Sequence, residues 1–156
     1  MNINSHSKDY TYLVESFSNY DGDSMNIIVS RTWDFGFEET VKKTSPINVR
    51  NYGVDTPELR GGTVDSKAAA RLAKDFVHDW LQQAYDEDAL YFVSHEYKKG
   101  KFGRALGDFY NSKTEQYLNQ TLILERLAVE YHGQSKSSIQ AAHKANIAYL
   151  KETGKI

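Results

Sequence analysis

Alternating polar and apolar residues run along two consecutive segments near the start of the chain, and the turn between them most constrains the fold. The alternation covers residues 10–17 and residues 25–33. The intervening residues 19–23 contain Asp21-Gly22, and Asp-Gly between two such runs is a strong hairpin signal because glycine adopts positive φ without steric cost. The sequence therefore predicts a β-hairpin with a polar tip.

The residues after this hairpin predict more strands, followed by a switch to helical periodicity. Residues 34–45 are polar and predict either a loop or the end of a long hairpin, and residues 46–54 predict a third strand. Apolar residues at 3/4 spacing over residues 66–83 predict a helix that is capped by Asp65 or Ser66.

The second half of the chain completes the predicted layout. Strands are expected over residues 89–96 and 105–110, and helices over residues 117–132, which Gly133 would end, and over residues 137–152. The order βββ-α-ββ-α-α predicts an α+β fold: a five-stranded OB-type Greek-key β-barrel with three α-helices. Folds of this type commonly bind oligonucleotides.

Composition excludes several classes of protein. The 156 residues suffice for one compact domain, and the absence of cysteine excludes a disulfide scaffold, a thiol nucleophile and a thiolate zinc site. The net charge of −2 argues against stable, sequence-blind coating of nucleic acid. No apolar run approaches the roughly 18 residues of a membrane span, and the N-terminal residues lack a secretory signal pattern. We therefore expect a cytoplasmic protein with no membrane partner.

Three carboxylates lie where the predicted strands end. Asp21 and Asp23 belong to the hairpin tip, and Asp55 follows the third strand. Carboxylate oxygens are hard ligands that suit Ca²⁺ or Mg²⁺, and one pole of a barrel could hold all three side chains together. For Asp21, an ordinary turn residue is an equally good interpretation.

Three motifs carry a resemblance to a known family. They are Tyr20-Asp-Gly-Asp-Ser24, Val49-Arg-Asn-Tyr-Gly-Val-Asp-Thr-Pro-Glu58 and Lys101-Phe-Gly-Arg-Ala-Leu106, with Arg126-Leu-Ala128 after them. In this order, and with a predicted helix between the second and third, they resemble the staphylococcal nuclease (thermonuclease-like) family. The resemblance spans about residues 10–150 and implies one nuclease domain over residues 10–156, preceded by a flexible segment over residues 1–9.

The resemblance implies a hydrolase that cleaves DNA, with RNA as a further substrate left open, with little sequence preference and with Ca²⁺ as its cofactor. Asp23, Asp55 and the Thr56 carbonyl would bind the ion, and Asp21 would lie in its outer shell. The catalytic residues implied are Arg50 and Arg104, which would hold the phosphate, and Glu58, which would act on the attacking water.

The basic segment before Arg104 is a candidate for substrate contact. Lys98, Lys99 and Lys101 would contact the nucleic-acid backbone, and Phe102 offers a face for base stacking. Tyr131 resembles a nucleotide-facing tyrosine of the family, although a place in the core is an alternative.

Other interpretations stay open at the level of sequence. Arg50 could be a surface strand residue in an ion pair, and Glu58 an acid beside a helix. The whole chain could be a non-catalytic OB-type nucleic-acid-binding module, or a structural interaction domain. The complete set of two arginines, Asp55 and Glu58 favours the nuclease, because binding alone does not require an acid that repels phosphate. A single free-standing domain of this kind is expected to be a monomer.

Overall fold

The computed structural model describes residues 10–99 and 103–156, without the side chains of residues 96–99. The predicted flexible segment over residues 1–9 lies outside the described residues. The elements, in chain order, are β1 (Thr11–Asn19), β2 (Ser24–Asp34), β3 (Glu39–Lys43), β4 (Ile47–Asn51), β5 (Val54–Asp55), α1 (Val64–Asp86), β6 (Leu90–Lys99), β7 (Ala105–Asn111), β8 (Gln116–Tyr117), α2 (Leu118–Leu124), β9 (Val129–Glu130) and α3 (Lys136–Glu152).

Five strands form a ring through their hydrogen-bonded pairings. β1 pairs antiparallel with β2 and β6, β2 with β4, and β6 with β7, while β4 and β7 run parallel. β3 pairs with β2 outside this ring, β8 pairs with β7, and β5 with β9 forms a separate two-stranded sheet. The described part of the chain thus confirms an α+β fold with a mixed five-stranded ring and three helices. A closed OB-type Greek-key barrel stays a prediction.

The core lies between the ring and α1. Alternate residues of the strands point inward, and Met25, Ile27, Val49 and Phe109 are fully buried. α1 presents a buried stripe of small and branched residues to them: Ala69, Ala70, Ala73, Val77, Leu81 and Ala84. None of the helices in the described ranges has the length and apolar character needed to cross a membrane.

The first helix starts earlier than the sequence predicted. Its N-cap is Thr63, whose side chain accepts from the Ser66 backbone at 3.1 Å, while the Ser66 hydroxyl accepts from the Thr63 backbone at 2.8 Å. Ser66 therefore belongs to the cap as the reciprocal partner three residues into the helix, and the prediction of Asp65 or Ser66 as the N-cap was wrong.

The predicted third strand is broken in two. Gly53 has a φ of 84° and separates β4 from β5. The turn redirects the chain, so that β5 leaves the ring and pairs with β9. Asp55, the last residue of β5, is placed by this break.

The polar residues 34–45 are the end of a long hairpin, one of the two predicted alternatives. Their β3 pairs with the outer half of β2, from Ser30–Lys43 to Asp34–Glu39. Three aromatic side chains of this hairpin are exposed to solvent: Trp33, Phe35 and Phe37.

The predicted helix over residues 117–132 was too long. α2 ends at Leu124, because Arg126 adopts a left-handed φ of 63° and the Leu127 backbone donates to the Leu122 carbonyl at 2.9 Å. Leu127 and Ala128 are buried in the core after the helix has ended. Because they continue the 3/4 spacing of the apolar residues before them, the sequence predicted that the helix extends over them. The chain then forms β9, so Gly133 does not terminate a helix.

Candidate active site

The hairpin tip between β1 and β2 is organised by Asp21. Its Oδ1 accepts hydrogen bonds from the backbone of Asp23 at 3.0 Å and of Ser24 at 2.8 Å, which closes the turn. Burial, and then the negative charge of Asp23, raise the pKa of Asp21 to about 6. Asp21 therefore has the structural role of a turn residue and also brings a carboxyl group next to Asp23.

Gly22 lets the hairpin tip lie directly against the segment after β5. Its φ is not positive, so the reason that the sequence analysis gave for this glycine was wrong. A Cβ atom at Gly22 would lie 2.7 Å from Thr56 Cγ2 and 3.0 Å from Thr56 Oγ1. The absence of a side chain is what allows the contact with Thr56.

Asp23 joins the two motifs across the molecule. Its Oδ2 accepts from the Thr56 backbone at 2.9 Å, and its carbonyl accepts from the Asn51 backbone at 2.9 Å. Asp23, Asp55 and Thr56 are all buried, with 7%, 5% and 3% of their surface exposed. Hydrogen bonds therefore join the hairpin tip to the residues around β5.

Asp55 is surrounded by basic side chains. Its Oδ1 accepts from Lys136 and from Arg50 Nη2, the latter at 3.1 Å, and its Oδ2 lies 2.9 Å from His143 Nε2. Burial acts to raise the pKa of Asp55, but hydrogen bonds and charges from His143 and Lys136 outweigh it, and the pKa lies below its ordinary value. Asp55 is thus held ionised.

Lys136 and His143 were not predicted as residues of the site. Both come from α3, more than 80 residues after Asp55, and no local motif links them to it. A signal did exist for His143, because it lies on the buried face of α3 with Ile139 and Leu150. A lone polar residue in an apolar stripe needs a buried partner.

Arg50 is oriented by the backbone around β5. Its Nη1 donates to the carbonyls of Asn51 and Val54, each at 3.1 Å, and its Nη2 lies 3.5 Å from Asp23 Oδ2. The ion-pair interpretation of Arg50 is therefore correct, although the side chain also lines a cleft. Fixing one side of the guanidinium in this way leaves its orientation toward the cleft well defined.

Tyr131 lies beside this arginine and is not a core residue. The half-buried ring lies 5.7 Å from the Arg50 guanidinium carbon and 5.0 Å from Lys136 Nζ. Its backbone donates to the Gly53 carbonyl at 2.9 Å, which ties it to the turn before β5. Tyr131 therefore stands next to the cations of the site.

A cleft of about 570 Å³ gathers most of the predicted residues. Arg104 reaches it from the start of β7 and donates to the Ser24 hydroxyl at 3.3 Å, and Glu58 lines it as an exposed side chain. Arg60 also lines the cleft and was not predicted. The predicted residues among the lining are Asp21, Asp23, Arg50, Asp55, Thr56, Glu58 and Arg104. Lys101 and Phe102 lie outside the described residues.

The oxygen donors of the cleft match the chemistry of a hard cation. Each carboxylate oxygen has two lone pairs, and Asp23 uses one at Oδ1 for Ser24 and one at Oδ2 for Thr56. Asp55 Oδ2 likewise keeps acceptor capacity beside His143. In the described ranges, no group of three or more His, Asp or Glu side chains is arranged to hold a metal ion. The oxygen atoms are of the type that binds hard cations such as Ca²⁺ or Mg²⁺, and Lys136 is a competing cation at Asp55.

Comparison of the sequence with models of protein families gives no match, and a search of curated proteins gives no significant match.

Proposed function

We propose that the protein is a Ca²⁺-dependent phosphodiesterase that hydrolyses DNA with little sequence preference, and RNA is left open as a further substrate. The observation that carries the proposal is the convergence of Arg50, Glu58, Arg104 and the carboxylates of Asp23 and Asp55 on one cleft. These residues come from three separate parts of the chain, at residue 23, residues 50–58 and residue 104, and phosphodiester hydrolysis requires acids and guanidinium groups together. The sequence motifs that resemble the staphylococcal nuclease family contain these same residues, which supports the proposal of a nuclease.

In this proposal the two arginines hold the scissile phosphate. Arg104 directly precedes β7, and Arg50 lies on β4. The two strands are paired side by side, with Arg50 in register with Leu106, two residues after Arg104. Guanidinium groups can each donate two parallel hydrogen bonds to phosphate oxygens. Arg50 is the more constrained of the two, because two backbone carbonyls fix it.

Glu58 is the candidate for the group that acts on water. It is exposed at the cleft, close in sequence to Asp55 and Thr56, so it can accept a proton from a solvent molecule or orient one. A calcium ion held by Asp23, Asp55 and the Thr56 carbonyl would supply positive charge against the negative charge that develops on the phosphate.

The fold is proposed to be a closed OB-type barrel whose pole carries the cleft. The ring of five strand pairings supports this, as does the position of the cleft beside the β1–β2 tip and the start of β7. Connecting segments at one end of such a barrel can bind oligonucleotides.

The second candidate function is a non-catalytic nucleic-acid-binding module. The observation that favours it is the compensation of Asp55 by Lys136 and His143, since a carboxylate neutralised by side chains does not need a metal ion. In that case the arginines would bind phosphate without turnover.

A cleavage assay separates the two functions. Single- and double-stranded DNA and RNA are incubated with the protein in Ca²⁺, Mg²⁺ or chelator, and the products are separated by size. The nuclease proposal predicts cleavage in Ca²⁺ and no cleavage in chelator, because chelator removes the cation that would stabilise negative charge at the phosphate. Binding without cleavage in Ca²⁺ would support the module instead.

Glu58→Gln is the decisive variant, because the amide keeps the shape of the side chain but cannot accept a proton. We expect turnover to fall on the order of 10²-fold or more, with nucleic-acid binding retained. Glu39→Gln on β3, an exposed glutamate that does not line the cleft, is the matched control and should keep the wild-type rate. Wild-type turnover in Glu58→Gln would remove Glu58 from the mechanism.

A further inference from the structure

The outer strand of the β2–β3 hairpin forms an edge of the main sheet. β3 (Glu39–Lys43) stands at the end of the strand order of that sheet, and within the described ranges it pairs with β2 alone. Every residue of β3 is exposed, and none of them lines the proposed active-site cleft. An unpaired edge of this kind can be extended by a further strand.

The hydrogen bonds to β2 determine which backbone groups of β3 face outward. At the tip of the hairpin, the Phe35 backbone donates to the Glu38 carbonyl at 2.8 Å. Bonded and non-bonded pairs alternate along an antiparallel ladder, so the even-numbered residues of β3 direct their N–H and C=O groups toward β2. The residues whose N–H and C=O groups point away from β2 are the odd-numbered ones: Glu39, Val41 and Lys43.

The side chains of β3 are complementary to themselves in one antiparallel arrangement. When a second copy of the strand runs antiparallel with Val41 opposite Val41, Glu39 of each copy lies opposite Lys43 of the other. Thr40 then lies opposite Lys42, so no like charges face each other directly. The outward backbone groups of the two copies also lie opposite one another in this register. Overlap of the whole strand, hydrogen bonding and charge are therefore matched together.

Lys43 can join this arrangement while it keeps its contact within the chain. Its Nζ lies 3.6 Å from Glu15 Oε2, and 61% of the Lys43 side chain is exposed. An ammonium group has three donor hydrogens, so it can face both Glu15 and a second carboxylate.

A single copy of the chain also leaves apolar side chains of this edge in water. Val41 is 55% exposed, and Phe37, in the turn before β3, is 89% exposed. In the paired arrangement Val41 lies opposite its counterpart, and Phe37 of one copy lies level with Ser45 of the other. Pairing would therefore remove apolar surface from water as well as satisfy the edge.

We propose that the protein forms a two-fold symmetric homodimer through antiparallel pairing of β3 with β3 of a second copy, centred on Val41, in place of the monomer expected from the sequence. A second copy is the partner because the charges of the strand complement themselves. Such an interface uses the same residues on both sides and closes on itself, so assembly stops at two chains. The strand is short, so the dimer belongs to the weak class of interfaces that bury less than about 1,200 Å².

Sedimentation equilibrium of the full chain, without nucleic acid, measures this association. We expect a monomer–dimer equilibrium with a dissociation constant between about 1 µM and 1 mM. Higher salt should weaken the dimer, because the charges at this edge are exposed. A wild-type chain that stays monomeric at about 1 mM, or that assembles beyond a dimer, would overturn the proposal.

Reversal of single charges tests the register. Glu39→Lys places lysines opposite each other at both ends of the symmetric pair, and Lys43→Glu does the same with glutamates. Each variant alone should dimerise roughly 10-fold more weakly or worse, because the symmetry counts each change twice. An equimolar mixture of the two variants restores opposite charges at both ends and should form heterodimers with about the wild-type affinity.

Lys42→Glu is the matched control, because it makes the same change in charge on the same strand but lies opposite the uncharged Thr40. It should dimerise like the wild type. Wild-type affinity in Glu39→Lys, a mixture that dimerises no better than its components, or an equal loss in Lys42→Glu would each overturn the register.

Val41→Pro tests the backbone pairing. Since the Val41 N–H points away from β2, proline removes a donor that the hairpin does not use, and proline is tolerated on edge strands. We expect this variant to be monomeric, with thermal unfolding close to that of the wild type. Wild-type dimerisation by Val41→Pro would contradict the pairing, and the charge reversals provide an independent test if this variant fails to fold.

The dimer and the nuclease are tested separately. The cleavage assay is run at about 10 nM protein, at which an interface of this class is dissociated, so Glu39→Gln stays a valid control for Glu58→Gln. Turnover by a strictly monomeric wild type would reject the dimer and keep the nuclease, and a dimer without turnover would do the reverse.

Discussion

Lys136→Met should tighten Ca²⁺ binding, because the lysine ammonium occupies the carboxylate that the proposed ion needs. Lys136 donates to Asp55 Oδ1, and its side chain is 52% exposed. Two unit charges at about 4 Å interact by about 1 kcal/mol in water and by about 4 kcal/mol at an effective dielectric constant of 20. Since Lys136 is half exposed, the smaller figure applies. About 1 kcal/mol corresponds to roughly fivefold tighter binding.

Isothermal titration calorimetry with Ca²⁺, in the absence of nucleic acid, measures this change directly. The matched control is Lys151→Met on the same helix, because Lys151 also pairs with a carboxylate, Asp65 at 2.9 Å, but neither residue lines the cleft. We expect Lys151→Met to leave the affinity unchanged. Unchanged or weaker Ca²⁺ binding by Lys136→Met would refute the reasoning, since it would mean that the lysine does not compete with the ion for Asp55.

Three further substitutions test other parts of the structure. Arg104→Lys keeps the charge but loses the planar fork, so kcat in the cleavage assay should fall about 10²–10³-fold with little change in affinity for substrate; a change in affinity alone would make Arg104 an ordinary backbone contact. Gly22→Ala places a Cβ 2.7 Å from Thr56 Cγ2 and should destabilise the fold by about 1–3 kcal/mol, measured by urea denaturation, whereas wild-type stability would show that the tip can move away. Burial raises the pKa of Asp108 from 3.8 to about 7. Between these two pH values the folded state keeps a proton on Asp108 that the unfolded chain releases, so the free energy of unfolding falls as pH rises from about 4 to 7. Asp108→Asn should remove that part of the decline, so its Tm should fall less between pH 5 and pH 8 than the wild-type Tm; parallel Tm curves would contradict the shift.

The sequence predicted those parts of the fold in which local signals and tertiary structure agree. The alternation before and after Asp21-Gly22 predicted the hairpin, and its polar tip does contact the residues after the third strand. The prediction of the second helix failed because buried residues after the helix have the same spacing as the apolar face of a helix. Leu127 and Ala128 continue the apolar spacing of α2, but they are buried in a non-helical segment that the left-handed Arg126 initiates.

Some residues of the candidate site could be predicted from local sequence motifs, and others could not. Asp23, Arg50, Asp55 and Glu58 could be predicted because each belongs to a short motif at a turn or strand end. Other residues required the fold itself. Lys136 and His143 contact Asp55 from a helix more than 80 residues later in the chain, and no sequence motif predicts these contacts. Arg60 has only its proximity to Glu58 as a signal, and a single exposed arginine carries little information.

The attachment of Asp55 to α3 also fixes when the site can form during synthesis. A nascent chain that ends before Lys136 already contains every other residue that lines the cleft, but Asp55 has neither Lys136 nor His143 beside it. Before α3 is synthesised, the one basic side chain of the described residues that pairs with the Asp55 carboxylate is Arg50. The arrangement of side chains around Asp55 is therefore complete only after α3 has been synthesised.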